Sequence, residues 1–181
     1  MGLAVVRSTH SAQPASTVRV GPQYTADGEL IRPSDHRTWV FVGASIGMGY
    51  SKNVYKEGPG RFHNIYIDTV AFRRYDRTGT FPDKTMLLMD VFESVSKASI
   101  NRHGHFEGKR VAIEMAVKDI DRFKTGWAYF DFKGDEKGIK TTARAFPKSR
   151  CYDCHLEHGA VDNVFVQFYP ILRPAEKPTQ P

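Results

Sequence analysis

The sequence predicts an α+β domain: a sheet of about five antiparallel strands, with short helices near its start and near its end. Three observations predict it. Segments 62–67, 86–92, 110–117 and 127–132 alternate or run apolar between turn signals, and 164–172 reads as a final strand or an extended packing segment. Helix signals are confined to short stretches. No run of 18 apolar residues occurs, which excludes a transmembrane helix.

Taken in order, residues 1–27 are rich in Ser, Thr, Gln and Pro and read as a flexible arm before a single domain over 28–173. Ser34 is placed to cap a short helix through His36, Arg37 and Trp39. Gly43 to Lys56 reads as a glycine-rich loop. The first strand is Phe62-His-Asn-Ile-Tyr-Ile67. Asp68 then starts a helix that Gly79 stops, and Phe81-Pro82-Asp83 turns the chain into an apolar strand, Met86 to Phe92. Ser94 to Gly108, with His103 and His105, is polar and reads as a loop. Arg110 to Val117 and Trp127 to Phe132 are strands, the latter with Trp127, Tyr129 and Asp131 on one face and Ala128, Phe130 and Phe132 on the other. Gly134 to Gly138 is a charged turn, and the tail 174–181 is Pro-rich and loose.

Composition narrows the function. The net charge of +6 comes from scattered Lys and Arg, with no run that resembles a nucleic-acid tract. Aromatic residues at 12% exclude disorder for most of the chain.

The chain has two cysteines, Cys151 and Cys154, and His155 follows at once. C-x-x-C-H reads as the attachment motif of a c-type haem, two thiols for the two vinyl groups and the imidazole as proximal iron ligand. By chance this spacing with an adjacent histidine arises in about 4 of 10,000 arrangements. Two other readings share the residues. A redox dithiol needs a helix N-terminus after a βαβ strand. A zinc site would have to draw its ligands, His158 included, from eight consecutive residues. Covalent haem attachment takes place beyond the bacterial inner membrane, so the haem reading carries an expectation of a periplasmic protein, although Met1–Thr17 has no signal-peptide apolar region.

Beyond that motif, an ordered set of stretches resembles the cytochrome P-460 family, which includes the cytochrome c-prime-beta proteins. These are Trp39-Val-Phe-Val-Gly43, His63 to Asp68, Thr78 to Asp83, Val117-Lys-Asp119 with Arg122-Phe123, Gly126-Trp127, and Cys151 to His155 followed by Asp162 and Phe168-Tyr-Pro170. The resemblance implies a homodimer of curved antiparallel sheets, one haem c held between each sheet and the C-terminal motif helix, and a five-coordinate iron with an open distal position. It implies a small nitrogen ligand or substrate: nitric oxide for the c-prime-beta members, hydroxylamine for the chromophore-bearing ones, which pass electrons to a soluble cytochrome. In the latter a strand lysine is cross-linked to the porphyrin. Counted forward from Phe81-Pro82-Asp83, that position holds Met89, and Lys84 lies in the turn, so the cross-link is expected to be absent.

Met89 is then either a contact on the haem edge or a core methionine beside Leu87 and Val91. His63 is either a distal group that donates a hydrogen bond or moves a proton, or a strand histidine bonded to a neighbour. Asp131, in an apolar strand, is either a proton acceptor or a solvated carboxylate. These two are the acid/base residues the sequence offers. His158 reads as a surface residue.

Overall fold

The computed structural model describes residues 21–49, 58–134 and 138–173. The core element is a five-stranded sheet in sequence order, every neighbouring pair antiparallel: β2 (Val40–Ile46), β3 (Phe62–Ile67), β4 (Met86–Val95), β5 (Phe106–Lys118) and β6 (Trp127–Asp131). A two-stranded ribbon, β1 (Leu30–Ile31) with β7 (Thr142–Ala143), covers part of the back. Helix α1 (Thr69–Thr78) follows β3, and helix α2 (Tyr152–His158) carries the C-x-x-C-H residues. The α+β class and the antiparallel sheet are as the sequence predicts.

Alternation along each strand builds two apolar layers. Front-facing Val42, Ile65, Ile67, Leu87, Trp127 and Tyr129 pack with α1 and with the C-terminal segment. On the back, Leu88, Ile113, Met115, Phe130 and Phe132 pack with Leu30 of β1. Both predicted faces of β6 are found: Trp127 and Tyr129 in front, Ala128, Phe130 and Phe132 behind.

Asp68 sets α1 in place twice. One carboxylate oxygen accepts the Ala71 N–H at 2.9 Å, the N-cap bond, and the other accepts the Met86 N–H of β4 at 2.9 Å. Gly79 ends the helix at φ +66°, where its N–H reaches the Tyr75 carbonyl at 2.7 Å. Tyr75 stacks on Phe81, centroids 4.1 Å apart, and donates its hydroxyl to the Leu172 carbonyl.

Four expectations change. Asp35, not Ser34, stands at the N-cap of His36–Thr38, which is one 3-10 turn without a side-chain cap and stops before Trp39. Gly43 to Ile46 belong to β2, because their backbone pairs with β3; residues 50–56 of the expected loop lie outside the described residues. The 94–108 loop is shorter, since β4 runs to Val95 and β5 begins at Phe106. Residues 164–172 form two 3-10 turns, Val166–Phe168 and Pro170–Leu172, instead of a strand. Of the expected arm, residues 1–20 lie outside the described residues; from Gly21 the chain joins the domain, and the Tyr24 hydroxyl donates to Asp119 at 3.2 Å. Residues 135–137 of the 134–138 turn and the 174–181 tail also lie outside the described residues. No described helix is long and apolar enough to cross a membrane.

One buried polar cluster sits behind the sheet. The Arg110 guanidinium grips Asp90 through two bonds, 2.6 and 2.7 Å, and His36 Nε2 lies 3.5 Å from the same carboxylate. Burial alone would raise the Asp90 pKa; His36 and Arg110 hold it below the ordinary value.

Candidate functional site

The site lies where α2 crosses the front of the sheet. Register partners Ile65, Met89, Glu114 and Asp131 form one row across β3 to β6, and Leu87, Ala116 and Tyr129 form the next. Above them α2 begins after Pro147 and a 3-10 turn, with Asp153 in its first turn paired to Lys148, an acid where the helix dipole favours one. Cys151 and Cys154, three apart, share the face that looks at the sheet. Together with His155 they line a cleft of about 260 Å³ whose opposite wall is Ile65, Met89 and Glu114.

His155 is held on three sides. Its Nδ1–H donates to the Asn163 carbonyl at 2.9 Å, which fixes the tautomer and leaves Nε2 as the nitrogen for a metal. The ring lies between Tyr129 and Phe165, centroids 4.3 and 4.4 Å away. Burial pushes its pKa down, so the imidazole is neutral, the form a metal binds.

The donor set fits an attached haem better than the two other readings. Burial pushes the Cys151 thiol pKa up, and Glu114 adds to it, the reverse of the electropositive setting that activates a redox dithiol. Among the described residues no three His, Cys, Asp or Glu side chains are grouped to hold a metal ion, so the zinc reading lacks its tetrahedron. Two thiols, one imidazole with a free Nε2 and a facing wall that is apolar except for Glu114 suit a covalent porphyrin with a proximal histidine.

The predicted residues divide. Met89 lines the cleft, as does every member of the C-x-x-C-H set. His63 does not: it shares the face of Ile65 but lies further along β3, its Nδ1 3.5 Å from Ser45 Oγ, its pKa lowered by burial and by Arg61. Asp131 lies outside as well. It lines a neighbouring groove with Glu29 and Thr142, and its carboxylate accepts the Lys133 N–H at 2.6 Å. Lys84 is tied among Asp83, Asp119 and Asp121, away from the cleft, whose lining holds no lysine among the described residues. His103 and His158 are exposed, and His105 Nδ1 is 2.9 Å from Ser94 Oγ.

Sequence reasoning missed Glu114. Burial in the cleft wall, then the neighbouring Asp131, push its carboxyl up to about 7, although Arg150, Arg61 and Lys133 pull the other way. In Arg110 to Val117 it occupies the polar half of the alternation and reads as solvent-facing. The segment from Phe146 to His155, more than thirty residues later, faces it across the cleft. The available signal is that Ala112 and Ala116, its neighbours on that face, are not polar.

Residues 33–166 match the family described as Cytochrome P460, while no curated protein matches the chain. That span covers the whole five-stranded sheet, α2 and every cleft-lining residue but Tyr169, and it supplies the reason for a C-x-x-C-H helix facing the sheet: the chain belongs to the cytochrome P460 family of haem proteins.

Proposed function

We propose that the protein carries one haem c, attached through Cys151 and Cys154 with His155 on the iron, and that it takes a small nitrogen compound on the open side. The observation that carries this reading is the placing of both thiols and a neutral, oriented imidazole on one wall of a cleft whose other wall is Ile65, Leu87 and Met89. The haem supplies the ligand-binding and redox chemistry. The chain's own residues hold it, orient His155 and keep the facing wall dry, which favours a neutral diatomic such as nitric oxide over water. Met89 in the cleft wall supports a haem without a lysine cross-link.

Glu114 favours a second reading, oxidation of hydroxylamine. That reaction releases protons with its electrons, and a carboxyl near 7 in the cleft wall is matched to accept them at neutral pH. Binding of nitric oxide needs no such group. In this reading electrons leave to a soluble cytochrome. Under either, the protein is exported and homodimeric.

Optical spectra of the ferric and reduced protein with a pyridine haemochrome assay test the proposal. An ordinary high-spin c-type spectrum that shifts on adding nitric oxide is expected. An abnormal haemochrome with a strongly red-shifted ferrous band would mean a cross-linked porphyrin, and no haem after expression in a host that matures c-type cytochromes would overturn the reading.

A further inference from the structure

The geometry points to Asp162 as a positioning residue that sets the hydrogen bond on His155 by clamping one turn between the sheet and helix α2; this rests on the haem reading above. Asp162 and Asn163 are consecutive non-glycine residues at positive φ, +46° and +63°, the pattern a type I′ turn uses. The turn is closed by the Val164 N–H on the Val161 carbonyl at 2.8 Å. Asx residues tolerate that conformation best, but it persists only where surrounding contacts hold it.

Those contacts are specific. One Asp162 oxygen accepts Trp127 Nε1–H at 3.0 Å and the other accepts Lys118 Nζ at 2.7 Å. Lys118 and Trp127 are register partners at the end of β5 and β6, and Lys118 also donates to the Phe81 carbonyl. The carboxylate thus fastens the turn to two strands at once. The far side of the turn rests on the end of α2, so closely that a Cβ on Gly159 would sit 2.7 Å from the Asn163 carbonyl carbon and 2.9 Å from the Val164 nitrogen. Between these two supports, the Asn163 carbonyl is presented to His155 Nδ1–H.

A carbonyl held on Nδ1–H makes an imidazole a stronger donor to its metal and fixes the plane of the ring. Asp162 touches neither His155 nor the cleft, so it acts through the carbonyl it positions.

The test uses the holoprotein. In Asp162→Ala, full haem content by pyridine haemochrome is expected, with a lower iron–histidine stretching frequency in the resonance Raman spectrum of the reduced protein and a higher midpoint potential, because weaker donation favours the ferrous state. Asp162→Asn, which keeps one acceptor oxygen, should recover part of both shifts. Lys148→Ala, which removes the exposed ion pair to Asp153 at the start of α2, should move neither. If Asp162→Ala does not accumulate, Lys118→Met and Trp127→Phe each remove one of the two bonds and should give smaller shifts of the same sign. Unchanged frequency and potential in haem-replete Asp162→Ala, or in both single-bond variants, would overturn the inference. A wild-type protein without haem is a separate failure, that of the haem reading itself.

Discussion

Glu114 stands opposite Asp131 across the β5–β6 ladder, and of the two it is the one in the cleft wall whose carboxyl is pushed up to about 7. The second carboxylate, at the rim, makes ionisation of the first harder.

That arrangement makes stability depend on pH in a defined direction. Glu114 binds its proton more tightly in the folded chain than at the ordinary value of 4.5, so the folded state is favoured at low pH and loses that advantage as pH rises from 4.5 to about 7. Glu114→Gln should remove this slope and be more stable than wild type above neutrality by about 2 kcal/mol. Urea denaturation of both proteins on either side of that window checks it; parallel pH profiles would show that Glu114 is not held protonated.

The two readings of the site separate at the same residue. If hydroxylamine is oxidised, Glu114→Gln should lower turnover by roughly 100-fold or more. His63→Leu should leave it within a few-fold, because His63 lies beyond the cleft lining and faces Ser45. Steady-state oxidation with a soluble electron acceptor measures both. For a protein that only binds nitric oxide, neither variant changes more than ligand dissociation rates.

Behind the sheet, the Arg110–Asp90 pair should matter most at neutral pH. Arg110→Met leaves a buried carboxylate with His36 alone and should cost on the order of 2–3 kcal/mol. The Asp90 pKa is held below its ordinary 3.8 in the fold, so the contribution is present above that pH and is lost as pH falls through the folded value. Chemical denaturation of wild type and variant should therefore converge in acid. A cost that is the same at all pH would mean packing of the arginine stem, not its charge.

Phe81 joins α1 to the sheet, stacked on Tyr75 and edge-on to Trp127 at 6.1 Å. Phe81→Ala should destabilise by about 3–5 kcal/mol, since little can collapse into a space bounded by a helix and two strands. A denaturation midpoint close to wild type would show that α1 repacks.

Much of this protein is legible along the chain, because local chemistry decides it. The alternation of β6 sorts Trp127 and Tyr129 from Phe130 and Phe132 without any knowledge of their partners, and Asp68 and Gly79 bound α1 by bonds that span four residues or fewer within the helix. Cys151, Cys154 and His155 fall together because three consecutive chemical roles lie within one turn of helix. Residues 164–172 are harder: their apolar run suits a strand, but the chain curls into two 3-10 turns that pack on Gly43 of β2, and the Tyr75 hydroxyl donates to the Leu172 carbonyl.

The sequence by itself determined β3 to β6 of the sheet, the capped helix and the C-x-x-C-H motif, each from a pattern a few residues long; β2 and the short β1–β7 ribbon are decided by pairing with distant strands. Only the tertiary structure decided which polar side chains line the cleft. It set His63 and Asp131 outside the cleft, put Glu114 in its wall, and turned Asp162 and Asn163 toward Trp127 and His155. The physical reason is that the pKa of a carboxyl and the hydrogen bonding of an imidazole depend on what is packed against them. For Glu114 that is Asp131 on the next strand and the segment from Phe146 to His155 across the cleft, and for His155 it is a turn bonded to two strands of the sheet.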